Sequence, residues 1–266
     1  MISSPLESPA GFDKSFASEA AALVTQAYAQ YTAFKSGATW SLQGDYENLA
    51  PLSAKPTGAF AKAEPFGFVA RNKSSNHVVV VFRGTESPED WLSNASFKQT
   101  AAAFPASTSW GNVEDGFWKL YQQCSPSIRN AVKSAGAGVN IFVTGHSLGG
   151  ALATLAAADL AVAQIPAATY TFASPRVGDP AFAIEFNKSV PTCWRVVNTE
   201  DIVTTVPLAT PKISSTSVPL SFWGATLALA RNLDFEHVGR PVCFTTHAGS
   251  ITANHEMAAY INALSA

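Results

Sequence analysis

Residues 141–150 read Ile-Phe-Val-Thr-Gly-His-Ser-Leu-Gly-Gly, and no other stretch limits the fold so tightly. The apolar, β-branched start predicts a strand. The alanine-rich run from Gly150 to Val162 predicts a helix. Between them lies Gly-His-Ser-Leu-Gly, a Gly-x-Ser-x-Gly turn so sharp that its serine takes a sparsely populated backbone conformation. Gly145 and Gly149 have no Cβ, so the chain can double back and the helix can lie close to the strand. Ser147 Oγ is then held above a sheet edge at a helix N-terminus, where partial positive charge favours a developing negative one. A chance serine in a glycine-rich connection is the competing reading; the strand before and the helix after argue against it.

The rest of the chain repeats this alternation. Phe16–Phe34 reads as a helix, and 36–65 as an irregular wrap rich in Gly, Pro and Ser. Phe66–Arg71 and His77–Phe82 read as strands joined by a polar turn at Asn72–Asn76. Val78–Phe82 is continuously apolar, as expected of a strand buried on both faces. A helix over Val113–Lys133 precedes the serine turn. After it come a strand at Ala168–Ala173, a helix at Pro180–Asn187 and a strand at Cys193–Asn198. Loop at 205–222, a short apolar helix at 223–232, an edge strand at Val242–Thr246 and a helix at Glu256–Leu264 complete the pattern. The fold class is α/β, with a mostly parallel central sheet covered by helices on both faces. Residues 1–266 read as one domain, with 1–12 as a loose N-terminal arm.

At 266 residues the chain can bury a sizeable core. Hydrophobic residues make up 47% and charged ones 14%, which leaves room for apolar surface facing lipid, although a large alanine-rich core gives the same figures. No run is long enough for a bilayer-spanning helix. A net charge of −2 without a basic cluster excludes nucleic acid and strongly anionic membranes as favoured partners. Cys124, Cys193 and Cys243 are not spaced for zinc, and their odd number disfavours a disulfide framework. No metal or organic cofactor is implied. The opening residues lack a basic n-region and an apolar h-region, which reads as a cytoplasmic chain or a mature secreted one.

A serine hydroxyl is a poor nucleophile at neutral pH. It needs a base within hydrogen-bonding reach, and the base needs a third group to fix its tautomer. On a strand–turn–helix of this kind the partners follow in the order Ser, acid, His. His77 and His146 precede Ser147, and His146 reads as packing or hydrogen-bonding support. Among the rest, His255 at the start of the last helix is favoured, with His237 and His247 as alternatives. Asp201, directly beyond the strand ending at Asn198, is favoured as the acid because open α/β sheets place chemistry at the C-terminal ends of strands. Glu200 competes with it; Asp159 reads as helical and pointing away, and Asp179 as a helix cap.

Taken together, the motifs resemble the class 3 lipase family of filamentous-fungal triacylglycerol lipases and feruloyl esterase relatives. The resemblance rests on Val-Val-Phe-Arg-Gly-Thr at 80–85, Asp-Trp-Leu at 90–92, Gly-His-Ser-Leu-Gly-Gly-Ala-Leu-Ala at 145–153 and Phe-Ala-Ser-Pro-Arg-Val-Gly at 172–178. Asn-Thr-Glu-Asp-Ile-Val at 198–203, His-Val-Gly at 237–239 and His-Glu-Met-Ala-Ala-Tyr at 255–260 extend it. It implies an α/β-hydrolase fold with Ser147 as nucleophile, Asp201 as acid and His255 as base, and gives His237 a structural place. It implies an oxyanion hole made of the backbone N–H groups of Thr85 and Leu148, and a lid helix over 86–96 carrying Trp91 and Leu92. Arg83 reads as a structural ion pair. Phe222 and Trp223, in an apolar stretch between acid and base, are candidates for the acyl-pocket wall. The expected activity is ester hydrolysis on triacylglycerol through an acyl-enzyme, possible at an oil–water interface. Feruloyl esterase, phospholipase A1 or acyltransferase activity would use the same chemistry, and a catalytically silent lipid-binding protein is the alternative of a different class.

Overall fold

The computed structural model describes residues 3–56, 62–86, 97–105, 107, 110–207 and 234–266. In chain order its first elements are β1 (Ser3–Ser4), α1 (Lys14–Ser36), β2 (Tyr46–Ala54), β3 (Glu64–Asn72), β4 (Val78–Phe82), β5 (Gln99–Ala101), β6 (Asn112–Glu114) and α2 (Asp115–Ala135). They continue with β7 (Ile141–His146), α3 (Leu148–Val162), β8 (Ala167–Phe172), α4 (Pro180–Ser189), β9 (Cys193–Asn198), β10 (Arg240–Thr246), α5 (Ile251–His255) and α6 (Met257–Ser265).

Eight strands form one sheet in the order β1-β10-β9-β8-β7-β4-β3-β2. Strands β4, β7, β8, β9 and β10 run parallel, and β2, β3 and β1 are antiparallel to their neighbours. Parallel neighbours need long crossovers, and α2, α3 and α4 supply those from β4 to β7, β7 to β8 and β8 to β9. Each parallel strand lies beside the preceding one, so the C-terminal ends of β4, β7, β9 and β10 share one edge.

Burial explains the sequence pattern. In β4, Val78, Val80 and Phe82 join the core under α2, α3 and α4, while Val79 and Val81 join the one under α1 and α6. Alternate side chains leave opposite faces of a strand. With both faces covered, β4 carries no polar residue. Helix α3 is buried at every position from Leu148 to Leu160, wedged between the sheet and α2, so it is apolar all round rather than amphipathic. Its one buried carboxylate, Asp159, points at α2, as expected. There it accepts hydrogen bonds from Ser125 Oγ (2.8 Å), Arg129 Nε (2.9 Å) and the Tyr121 hydroxyl.

Three expectations need correction. Residues 36–65 are not all irregular wrap: β2 occupies the outer edge, with only Leu52 and Ala54 buried and two register shifts, so neither burial nor alternation marked it as a strand. Residues 3–12 are not a loose arm. Ser3 and Ser4 pair with Thr246 and Thr245, Glu7 N–H donates to Cys243 O (2.9 Å), and the Phe12 ring lies 5.7 Å from that of Trp194. A two-residue strand has no period for a sequence to display. For the same reason β10 is not the outermost strand along its whole length: β1 pairs with its last two residues, Thr245 and Thr246.

Candidate active site

Ser147 sits between β7 and α3 at φ 57° and ψ −127°, a left-handed conformation that a non-glycine residue adopts only under constraint. The glycines on either side are required by space. A Cβ at Gly145 would come 2.1 Å from Gly149 O, and one at Gly149 would come 2.5 Å from Arg83 O. The Ser147 N–H donates to Phe172 O (2.9 Å), which ties the turn to β8.

Asp201 follows β9 and uses its two oxygens differently. Oδ1 accepts from Val203 N–H (3.0 Å) and caps the 3-10 turn Ile202–Thr205. Oδ2 accepts from His255 Nδ1 (2.7 Å) and from the Tyr260 hydroxyl (2.6 Å). Burial, followed by the Asp201 charge, holds the Tyr260 phenol well above its ordinary pKa, so it stays protonated and donates. Asp201 and His255 are both buried. With Nδ1–H donating to Asp201, a neutral His255 presents Nε2 as an acceptor, and that buried atom has no hydrogen-bond partner among the described residues. The His255 ring lies 4.7 Å from that of His146, the neighbour of Ser147.

Asn198 braces this arrangement from the end of β9. Its amide donates to Thr246 O and Asn254 O (both 2.9 Å), and its oxygen accepts from Thr246 N–H (2.9 Å). The end of β9, the end of β10 and the turn bearing His255 are thereby locked together. Neither Asn198 nor Tyr260 was singled out from the sequence; the strand-end position of Asn198, three residues before the acid, was the available signal.

The alternatives lie elsewhere. His237 Nε2 donates to Thr204 O (2.7 Å), and burial, then Arg195 and Arg176, lower its pKa to about 3, so it is a neutral brace. His247 and Glu200 face each other at the surface, 3.3 Å apart. Arg176 and Gly178 clasp the chain on both sides of residues 208–233. Arg176 N–H donates to Val206 O (2.8 Å), its guanidinium donates to Thr205 O and to Pro207 O (2.8 Å), and Gly178 O accepts from Glu236 N–H (2.8 Å).

Thr85 lies just beyond β4, and Leu148 opens α3. The N–H of neither has an acceptor among the described residues, and Thr85 Oγ1 is likewise without a partner. Arg83 forms an ion pair with Glu64 (2.6 Å) beneath the loop. Trp91, Leu92, Phe222 and Trp223 lie outside the described residues, as does nearly all of 86–96. Among the described residues no group of His, Cys, Asp or Glu could hold a metal ion. A carboxylate-oriented imidazole with an open Nε2, its ring 4.7 Å from that of the residue preceding a strained serine at a helix N-terminus, has the chemistry to act as a base toward a hydroxyl proton.

Comparison with known proteins places these features in a family context. The family model "Lipase (class 3)" matches residues 79–210. Secreted mono- and diacylglycerol lipase 1 of Fusarium solani is 34% identical over 143 residues, covering 53% of this chain and 42% of that protein. A chloroplastic phospholipase A(1) of Arabidopsis thaliana is 35% identical over 149 residues, covering 49% of this chain and 33% of its own length. This chain thus spans less than half the length of these two relatives. The solved structure of Rhizomucor miehei triacylglyceride lipase superposes with a TM-score of 0.62 at 26% identity, covering 77% of this chain and 78% of that one.

Proposed function

The chain belongs to the class 3 lipase family, and from that premise we propose that it hydrolyses carboxylic esters of acylglycerols through an acyl-enzyme on Ser147. Ser147 Oγ attacks the ester carbonyl, and its proton passes to His255 Nε2. Asp201 holds the imidazole by Nδ1 and stabilises its charged form. The carbonyl oxygen becomes negative and is met by the N–H groups of Thr85 and Leu148, which stabilise it more than they stabilise the ground state. His255 returns the proton to the leaving alcohol. Water then repeats the cycle on the acyl-serine, releasing the fatty acid and restoring the serine.

The observation that carries this reading is the buried, unpartnered Nε2 of an imidazole whose other nitrogen is held by Asp201. A buried polar atom without a partner is costly, and an atom kept free to take the Ser147 hydroxyl proton has a reason to be so. Trp91 and Leu92 belong, in this reading, to a lid that meets an oil–water interface, and Phe222 and Trp223 to the wall that receives the acyl chain.

Soluble p-nitrophenyl esters, emulsified tri-, di- and monoacylglycerols and phosphatidylcholine, each given to the natural chain and to Ser147→Ala, test the proposal. Turnover that disappears in the variant supports it; equal turnover in both removes Ser147 from the mechanism. A natural chain that binds lipid and turns over none of these esters would be a lipid-binding protein instead. Preference for phosphatidylcholine would move the substrate toward that of the Arabidopsis relative. A rate that does not rise when substrate passes its solubility limit would reject interfacial action by the lid.

A further inference from the structure

Helix α1 contributes no group to the proposed reaction, yet one of its faces grips the loop beyond β4 residue by residue. Tyr28, Tyr31 and Lys35 recur at helical spacing and point to one side. The Tyr28 oxygen accepts from Gly84 N–H (3.0 Å). The Tyr31 ring lies 3.6 Å from the Arg83 guanidinium carbon, a cation–π contact. Lys35 pairs with Glu86 at 2.7 Å on the surface.

Arg83 completes the grip. Its Nη1 donates to Gly84 O (2.7 Å), while Nε donates to Pro65 O (2.7 Å). A trans peptide sets its C=O and N–H in opposite directions. The Gly84 carbonyl, locked onto Arg83, therefore aims the Thr85 N–H the other way. The mechanism assigns that N–H to the developing oxyanion.

The Tyr28 hydroxyl continues the chain inward. It lies 2.7 Å from His146 Nδ1, and His146 Nε2 lies 2.7 Å from the backbone carbonyl of His255. Chemistry fixes every direction. A carbonyl only accepts, so Nε2 carries the proton. Burial, then the neighbouring His255 imidazole, lower the His146 pKa far below its ordinary value, so the ring is neutral and Nδ1 accepts. Tyr28 must then donate to Nδ1, which leaves its oxygen to accept from Gly84. There is no slack either. A Cβ on Gly84 would lie 2.5 Å from the Tyr28 oxygen and 2.8 Å from both His146 O and Ser147 Cβ.

We propose that Tyr28 is a positioning residue for ester hydrolysis: through His146 its hydroxyl fixes the Thr85 N–H relative to the backbone of His255 before substrate arrives. The proposal rests on the ester-hydrolase reading and adds to it a role for α1. Complete loss of an oxyanion donor typically lowers kcat about 10²–10³-fold. Tyr28→Phe, which loosens one without removing it, is expected to lower kcat about tenfold on a soluble p-nitrophenyl ester, with KM nearly unchanged and the melting temperature lowered by a few degrees, because Gly84 N–H and His146 Nδ1 lose their partner. An unchanged kcat, or a rise in KM alone, overturns the proposal. A second readout does not need turnover: nitrogen-15 imidazole spectra and amide hydrogen exchange. His146 is expected as the neutral Nε2–H tautomer between about pH 5 and 8, and Tyr28→Phe is expected to shift its Nδ1 resonance and speed exchange at Gly84. A proton on Nδ1, or titration of His146 in that range, overturns the proposal. If the natural chain hydrolyses none of the esters, the ester-hydrolase reading has failed, and the spectra still decide whether the chain of hydrogen bonds exists.

Discussion

At the scale of single residues, strain and reactivity meet at Ser147. A non-glycine residue at φ 57° stores roughly 1–3 kcal/mol, and glycine at that position would release it. Part of the gain is offset because glycine gives the unfolded chain more freedom. Ser147→Gly is expected to raise stability by about 1 kcal/mol while abolishing ester turnover, as measured by denaturant unfolding alongside the assay. A destabilised variant would mean that the turn is relaxed as it stands. The strained serine and its two spacing glycines are legible in five letters because only small residues permit the close approach. Asp201 and His255 are legible from their order and from strand ends. Tyr28 and Tyr260 are not: each acts on a group distant in the chain, no local pattern records such a contact, and Asn198 is marked only by its place at a strand end.

Among the elements, α3 shows how far a helix can depart from amphipathic patterning. Its apolar surface leaves the buried carboxylate of Asp159 dependent on α2, chiefly on Arg129, which is itself one-third exposed. Asp159→Ala strands a guanidinium, a phenol and a hydroxyl, and is expected to cost about 3 kcal/mol in unfolding free energy. A cost below about 1 kcal/mol would show that Arg129 swings into solvent without loss. Hydrophobic runs made the central strands and α3 readable, because burial on both sides demands apolar residues throughout. The edge strands escaped: β2 is largely exposed, and β1 is too short for any period. Phe12, packed against Trp194 of β9 and Tyr170 of β8, anchors the segment that carries β1 on the sheet face. Removing residues 1–12 is expected to expose a row of unpaired backbone groups and promote association, seen by light scattering at concentrations where the longer chain stays monodisperse.

Across the whole molecule, buried neutral imidazoles set the acid limit. His237 has a folded-state pKa of about 3 against an ordinary 6.5, and His146 is lowered in the same direction. The unfolded chain therefore binds protons that the folded chain refuses. The His237 contribution is intact above about pH 6.5 and is lost as pH falls toward 3, at about 1.4 kcal/mol per pH unit, and that of His146 is lost in the same direction. His237→Gln is expected to reduce the slope of unfolding free energy between pH 6 and 4 by about one proton's worth, measured in urea titrations. An unaltered slope would mean that His237 is protonated in the folded protein.

Arg176 and Gly178, two residues apart, hold Val206, Pro207 and Glu236, so the described chain on either side of residues 208–233 is tied to one short segment. A segment between two ends anchored in this way can be exchanged as a cassette. Replacing it with the corresponding segment of a relative is expected to change which acyl groups are accepted and leave the Asp201–His255 contact undisturbed. Substrate choice and bond-breaking machinery can therefore diversify on separate evolutionary clocks.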